Sequence, residues 1–228
     1  MTLLLPENFT IAEREDYWII RDGNIGTLDL SKRLLFADRE TKKLSRQERI
    51  EFILEAHAKG QFGALSLPEQ HLVIETAYNH KDEPEYKEPI TNLQKFLRKQ
   101  LEQHSLETIS YIVTSPEEDS KSIIMHNPGT LHEETLEEQI IGKDGLLTEI
   151  PERIQLSEAL FKNSDYNKIN SVYKWITGSQ VNVWRTKEKP KQRERSVVSL
   201  ATYLGDFYLI VNGGLNLNRP CLGIRKSK

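Results

Sequence analysis

The C-terminal stretch of this chain, residues 180–225, constrains the fold more than any other segment. Short apolar runs there alternate with polar turn residues, a pattern typical of β-strands. Residues 196–225 contain no Lys, Glu, Gln, Met or Trp, although the whole chain has 31 Lys and Arg and 34 Asp and Glu. This change in composition requires an explanation in packing or in function.

Short strands are predicted in two places upstream. Residues 17–21, 26–30 and 34–37 have strand-like composition and are separated by turn residues, which predicts a small N-terminal meander. Residues 108–114 alternate in polarity as a half-buried strand does, and residues 122–125 are predicted to pair with them.

Helices are predicted between and after these strands. Ser45 with Glu48, and Ser66 with Pro68 in the following turn, are typical helix starts. The inner faces predicted for these two helices are Ile50, Ile53, Leu54 and His57, then Leu72, Val73, Thr76 and Ala77. A third helix is predicted at about residues 90–104.

Two histidines, His71 and His80, flank the second of these helices, and they are interpreted as surface or cap residues. Two more helices are predicted further on, at residues 151–161 and after Ser164 or Asp165. The buried face of the last one is predicted to be Ile169, Val172, Tyr173 and Ile176, with Gly178 as its stop.

The order of these elements has no βαβ regularity, so the predicted class is α+β. A helical and short-strand region at residues 1–105 would precede residues 106–228, which end in an antiparallel, β-rich module. The length of 228 residues suits one large domain or two modest ones.

Composition excludes several classes of protein. A net charge of −3 gives no global attraction to nucleic acid or to anionic membranes. Cys221 is the single cysteine, which rules out an intramolecular disulfide and a multi-Cys zinc site. No signal peptide or membrane-spanning run is predicted, so the expected location is cytoplasmic or virion-associated.

No catalytic, metal or cofactor motif is present. The sequence lacks nucleotide-binding glycine loops and a nucleophile elbow, and Leu136 stands where a zinc-protease helix starting at His132 needs its second histidine. The glutamates at 133, 134, 137 and 138 are interpreted as a solvated helix face. Cys221 is interpreted as an inert, partly buried thiol. An enzyme site formed from His126, His132 and Asp206 is the least favoured alternative.

The basic segment at residues 187–195 is the strongest electrostatic feature. Its cations could contact phosphates while Trp184 or Tyr203 stacks on bases, although Glu188 and Glu194 dilute its charge. A solvated hairpin loop explains it as well. The alternative function is therefore a nucleic-acid-associated protein of a phage or mobile element.

The closing stretch divides by residue type into a framework and a surface. Val198, Leu200, Leu209, Val211, Leu222 and Ile224 are predicted to form the framework. Aromatic, Asn and Gly residues between them are the materials of a recognition face. The remaining aromatic, Asn and charged residues of the stretch are predicted to stay at the surface.

Three short motifs resemble a known family: residues 182–184 (NVW), Arg195-Ser196, and the terminal L-G-I-R at residues 222–225. They are similar to the closing pattern of C-type-lectin-like domains related to formylglycine-generating enzymes, a group that includes the variable proteins of diversity-generating retroelements. The family's G-G-S-W element has no counterpart, and RSVVSL stands in its place.

In those variable proteins, mutagenesis directed at adenines in AAY codons cannot produce Lys, Glu, Gln, Met or Trp. A buried β-segment would leave the same absence. The resemblance implies a lectin-like fold for the C-terminal part and a non-enzymatic protein that displays a diversified surface to a protein or glycan ligand. It also implies the following ligand-binding residues: Tyr203, Asp206, Phe207, Tyr208, Asn212, Asn216, Asn218 and Arg219. It involves no cofactor and no membrane, and a homo-oligomer is possible.

Overall fold

The computed structural model describes residues 9–23, 25–37, 44–116, 122–126, 133–135, 141–186, 188, 190–213 and 219–226. These residues form helices and two largely antiparallel sheets, so the predicted α+β class is confirmed. No helix in these ranges combines the length and the apolar character that crossing a bilayer requires.

The helices are α1 (Arg46–Ala58), α2 (Leu67–Asn79), α3 (Lys87–Gln103), α4 (Arg153–Phe161) and α5 (Tyr166–Thr177). The strands of the N-terminal half are β1 (Thr10–Glu13), β2 (Tyr17–Asp22), β3 (Gly26–Ser31), β4 (Gly63–Ala64), β5 (Leu106–Thr114), β6 (Ile123–Met125) and β7 (Glu133–Thr135). The remaining strands are β8 (Gly145–Leu146), β9 (Val181–Trp184), β10 (Glu194–Tyr203), β11 (Asp206–Gly213) and β12 (Gly223–Lys226).

The strands form a five-stranded sheet, here called sheet A, in the order β1-β2-β3-β12-β4, and a seven-stranded sheet B in the order β7-β6-β5-β10-β11-β9-β8. The chain's last strand, β12, therefore lies in sheet A between β3 and β4. The hydrophobic core is also continuous, from Phe9 to Ile224. Residues 1–105 and 106–228 thus share one sheet and one core.

Local signals at the helix ends act as the sequence predicts. Ser45 with Glu48, and Ser66 with Glu69, form complete capping boxes at the starts of α1 and α2. Asp165 caps α5 through the backbone N–H of Lys168, at 2.9 Å.

The framework predicted for the C-terminal stretch is confirmed by burial. Its members all lie in the core: Val198, Leu200, Leu209, Val211, Leu222 and Ile224. The buried face of α5 is also as predicted, with Ile169, Val172, Tyr173 and Ile176. Helix α5 packs on the inner face of sheet B, where the Tyr173 and Phe207 rings stack with centroids 4.8 Å apart.

Several predicted features are wrong. Residues 34–37 form no strand, only a bridge from Leu35 to Cys221, because β2 and β12 already occupy both edges of β3. Leu54 and His57 are exposed, since α1 packs through Arg49, Ile53 and Ala56 instead. Leu72 is also exposed, because α2 packs through the neighbouring Val73 and Ile74. Residues 133–135 are not helical: they form β7, which pairs antiparallel with β6.

Candidate functional site

The outer face of sheet B is open along its β9, β11 and β10 strands. Strict alternation sends one set of side chains inward onto α5, namely Val181, Val183, Phe207, Leu209 and Val211. The other set is partly or fully accessible: Asn182, Trp184, Tyr208, Ile210 and Asn212. The strands therefore present a polar and aromatic surface on a rigid, buried support.

A groove of about 270 Å³ crosses this outer face. Its lining combines the sheet with the segment that follows α3: Glu102, Gln103, His104, Ser105, Trp184, Ala201, Thr202, Tyr203, Tyr208, Ile210 and Arg219. Trp184 and Tyr208 stand on neighbouring strands with ring centroids 5.9 Å apart and ring planes inclined at 57°. Trp184 is 42% exposed and Tyr203 is 62% exposed. These aromatic side chains therefore leave apolar surface open to solvent in the groove.

Arg219 forms one wall of the groove and is hydrogen-bonded to residues of two other segments. Its Nη1 donates to Ser105 Oγ, and its backbone carbonyl accepts from Nη1 of the buried Arg49 at 3.1 Å. The wall is therefore held by contacts that join α1, the end of α3 and the segment before β12.

The β10–β11 hairpin ends in a tight turn beside the groove. Leu204 and Gly205 have φ values of 52° and 89°, and Tyr203 pairs with Asp206 across the turn. Positive φ at both central positions is the type I′ geometry, in which Asn, Asp or Gly is preferred at the first of them. The four residues 203–206, here called the hairpin tip, are all exposed.

The predicted ligand-binding residues fall into different environments. Tyr203, Tyr208 and Arg219 line the groove, and Asp206 lies at the exposed hairpin tip. Asn212 is partly buried on the same outer face, where its amide donates to the carbonyl of Arg185 at 2.9 Å. Asn216 and Asn218 lie outside the described residues.

Phe207 does not belong to this surface, and its prediction as a surface residue is wrong. Its side chain is fully buried against Tyr173 of α5. The apolar run from Phe207 to Val211 lacks a polar residue that would set the strand's alternation, so packing against α5 determines which members point inward.

Sequence reasoning missed one part of the groove, and it also missed the hairpin turn beside the groove. The segment at residues 102–105 reaches the groove only through the tertiary fold. Leu204 was detectable, because a two-residue L-G connection between strands predicts a type I′ turn with an unusual first residue.

The basic segment lies at the start of β10. Lys191, Arg193 and Arg195 are exposed, and the guanidinium of Arg195 lies 5.8 Å from the centre of the Tyr111 ring. Lys187 and Lys189 lie outside the described residues. Arg185 is no part of this cationic surface: it is buried, donates from Nε to the carbonyl of Lys143 at 2.8 Å and pairs with Glu152 at 3.1 Å.

His126 is held in a buried hydrogen-bond chain. The backbone N–H of Leu67 donates to Ser110 Oγ at 2.9 Å, and Ser110 Oγ lies 2.8 Å from His126 Nδ1. His126 Nε2 faces the carbonyl of Ala159 at 2.7 Å and must therefore carry the proton. Burial lowers the pKa of His126, which favours this neutral form.

This Ser–His pair is structural. Ser110 is completely buried, so its hydroxyl is closed to substrates, and both ring nitrogens of His126 are engaged. His132, proposed above as a partner in an enzyme site, lies outside the described residues.

Replacing Ser110 with alanine should lower the free energy of unfolding by about 2 kcal/mol, because it leaves the Leu67 N–H and His126 Nδ1 buried without a partner. Urea denaturation measures this loss. Ser171→Ala is the matched control, since that exposed hydroxyl only back-bonds to Asn167 within α5. Equal stabilities of the two variants would contradict the role of the chain.

The single cysteine has the environment of an unreactive thiol. Cys221 is buried, and burial raises the pKa of its thiol, with the charge of Glu107 acting in the same direction. Among the residues that the structure describes, no group of three His, Cys, Asp or Glu side chains is arranged to hold a metal ion.

Comparison with known proteins gives no relative: no protein-family model, no curated protein and no solved structure matches this chain.

Proposed function

We propose that this protein is a non-enzymatic binding protein that recognises a protein or glycan ligand through the groove on the outer face of sheet B. The observation that carries the proposal is the accessible Trp184–Tyr208 pair on two adjacent strands. Aromatic side chains offer a large contact area at low cost in conformational entropy, and here the sheet holds them in place before any ligand arrives.

The charge of the groove supports a ligand without strong net charge. The acidic Glu102 and the basic Arg219 both line the groove, so neither sign of charge dominates. Amide and hydroxyl groups from Gln103 and Ser105 add donors and acceptors. A surface that mixes aromatic rings with neutral polar groups suits peptide segments and sugars alike.

Removing the aromatic pair should abolish most of the binding. We expect the double variant Trp184→Ala/Tyr208→Ala to bind at least about tenfold more weakly, since each aromatic anchor contributes more than 1 kcal/mol. The measurement uses a glycan array and a phage-displayed peptide library, followed by affinities for each probe that the native protein captures. Phe52→Ala is the control, because Phe52 is an exposed aromatic residue of α1 outside the groove. Equal affinity of the double variant for every captured probe would refute the proposal.

Diversification of this surface is a further part of the proposal, and it rests on composition alone. Of the described residues between 196 and 225, only the hairpin tip is exposed, so burial in strands also accounts for the missing Lys and Glu. The DNA around the gene separates the two explanations. An adjacent reverse transcriptase and an imperfect repeat of the 3′ end, differing at adenines, would support diversification, and their absence would exclude it.

Single-stranded nucleic acid is the second candidate ligand. The observation that favours it is the proximity in sequence of the exposed Trp184 to the basic segment, because bases stack on aromatic side chains while cations contact phosphates. An electrophoretic shift with an oligo-dT probe at two salt concentrations tests it. Nucleic-acid binding requires that Lys191→Ala/Arg193→Ala/Arg195→Ala weakens the shift and lowers its salt dependence. No shift, or an unchanged one, would exclude this candidate.

A further inference from the structure

Leu204 at the hairpin tip is unusual in both its exposure and its backbone conformation. It is 88% exposed, and it adopts a left-handed backbone conformation that is unfavourable for any residue with a Cβ other than Asn or Asp. The Leu204 side chain is thus open to solvent in a turn conformation that costs free energy. Such residues concentrate at functional sites.

An apolar cleft lies elsewhere on the same chain, between the end of α1, the start of α2 and sheet A. Its volume is about 180 Å³, and its apolar lining is Ile25, Leu28, Leu65, Leu72 and Ile224. The polar part of its lining is His57, Lys226 of β12 and Glu69, whose carboxylate accepts hydrogen bonds from the backbone N–H and the hydroxyl of Ser66. No ion pair joins Lys226 to a carboxylate among the residues that the structure describes.

The hairpin tip matches the cleft in size and carries a carboxylate that can pair with Lys226. A cavity of about 150 Å³ lined by aliphatic side chains accepts a molecule as large as benzene, so this cleft has room for one leucine side chain. Asp206 is exposed and lies two residues after Leu204. Its carboxylate can therefore pair with the ammonium group of Lys226.

We propose that the protein self-associates by inserting Leu204 of one copy into the apolar cleft of a second copy, with Asp206 of the first facing Lys226 of the second. The two surfaces are different patches of the chain, so the contact is heterologous. It closes as a reciprocal pair or a ring, or continues as a filament.

This inference goes beyond the proposed binding function, and neither Leu204 nor the cleft residues belong to the groove lining that contains Trp184 and Tyr208. An assembly would present several grooves at once. Linked sites bind a multivalent ligand much more tightly than a single site does, without any new contact. An open groove of modest affinity would then suffice for recognition.

Sedimentation velocity over a range of protein concentrations tests the contact through three variants. Leu204→Asn should abolish self-association and also raise the melting temperature, because asparagine tolerates the left-handed turn. Leu72→Trp should also abolish it by filling the cleft mouth, where Leu72 is 38% exposed. Leu54→Gln, which alters an exposed leucine of α1, should associate as the native protein does.

Mixing the two defective variants gives the decisive result. The Leu204→Asn copy keeps a working cleft and the Leu72→Trp copy keeps a working tip, so the mixture should form a complex of one copy of each. A native protein that stays monomeric, a Leu204→Asn variant that still associates, or a mixture that stays monomeric would each overturn the proposal. The Leu204→Asn variant should still bind ligand molecules that are immobilised too far apart to engage two copies. This result distinguishes the loss of self-association from a loss of ligand binding at the groove.

Discussion

Replacing Arg225 with alanine is expected to lower the free energy of unfolding by about 3 kcal/mol, because the substitution removes the cation from a largely buried carboxylate. Nε and Nη2 of Arg225 both donate to Oδ2 of Asp29, at 2.9 and 2.5 Å. The Asp29 side chain is 5% exposed and that of Arg225 is 33% exposed. This partial exposure places the effect at the lower end of the range for buried pairs.

The position of this pair in sheet A increases its importance. Arg225 and Asp29 are directly opposite each other in the β12–β3 pairing. The Arg225 guanidinium also lies 4.7 Å from the centre of the Phe62 ring and 5.4 Å from that of Tyr17. One side chain thus attaches the C-terminal strand to the N-terminal sheet.

The control for Arg225 is a second Arg–Asp pair of this chain that is exposed to solvent. Arg33 and Asp16 lie 3.2 Å apart with side chains 85% and 62% exposed. Arg33→Ala should change the free energy of unfolding by less than about 0.5 kcal/mol, since exposed pairs contribute little. Urea denaturation of both variants, with hydrogen exchange at β12, measures the contrast. Equal effects would show that burial of Asp29 does not govern the energy of the pair.

These contacts also explain the terminal L-G-I-R. Leu222 and Ile224 are buried and Arg225 pairs with Asp29, so these residues of the motif stabilise sheet A rather than contact a ligand. The position of β12 could not be predicted from sequence. Its partners β3 and β4 lie far away along the chain, and a short strand gives no local signal of the sheet that it joins.

Features with local causes were predicted well. The capping box at Ser45, the cap at Ser66, the start and stop of α5 and its buried stripe depend on residues within a few positions of one another. Side-chain exposure depends on neighbours from elsewhere in the chain, which explains the errors at Leu54 and Phe207. The groove contains residues of both kinds. Tyr203, Tyr208 and Arg219 were predicted to be part of a binding surface. Residues 102–105 were not, because only the tertiary fold brings them next to the other lining residues.

His71 is the clearest example of a tertiary effect. The sequence places it beside a helix, as a surface or cap residue, and that interpretation is wrong. It is 1% exposed, between the ring of Phe161 in α4 and the ring of Tyr173 in α5, with centroid distances of 5.1 and 5.7 Å. Its Nε2 lies 3.5 Å from a carboxylate oxygen of Glu75, and neither ring nitrogen has a hydrogen-bond partner among the described residues.

Acid should therefore destabilise the protein through His71. Burial, together with the charge of Lys168, lowers the pKa of His71 from 6.5 to about 4. Between these two pH values the unfolded chain binds a proton that the folded protein excludes, so the free energy of unfolding falls as the pH falls. A shift of this size corresponds to a loss of about 3 kcal/mol by pH 4.

Glu75 acts in the opposite direction and sets the design of the measurement. Burial raises the pKa of its carboxyl group, with Asp165 acting in the same direction and Lys168 opposing it. The folded protein therefore protonates Glu75 more readily than the unfolded chain does, and this stabilises the fold as the pH falls. Glu75→Gln should make the acid destabilisation steeper by removing the compensating group.

His71→Phe should remove the His71 contribution while keeping an aromatic ring against Phe161 and Tyr173. Urea denaturation from pH 7 to pH 4 gives the free energy of unfolding for the native protein and for both variants. Other carboxylates affect all three proteins alike, so the difference between native protein and His71→Phe isolates the histidine. We expect that difference to change by about 3 kcal/mol in favour of the variant between pH 7 and pH 4. A difference that does not vary with pH would mean that His71 is protonated in the fold as easily as in the unfolded chain.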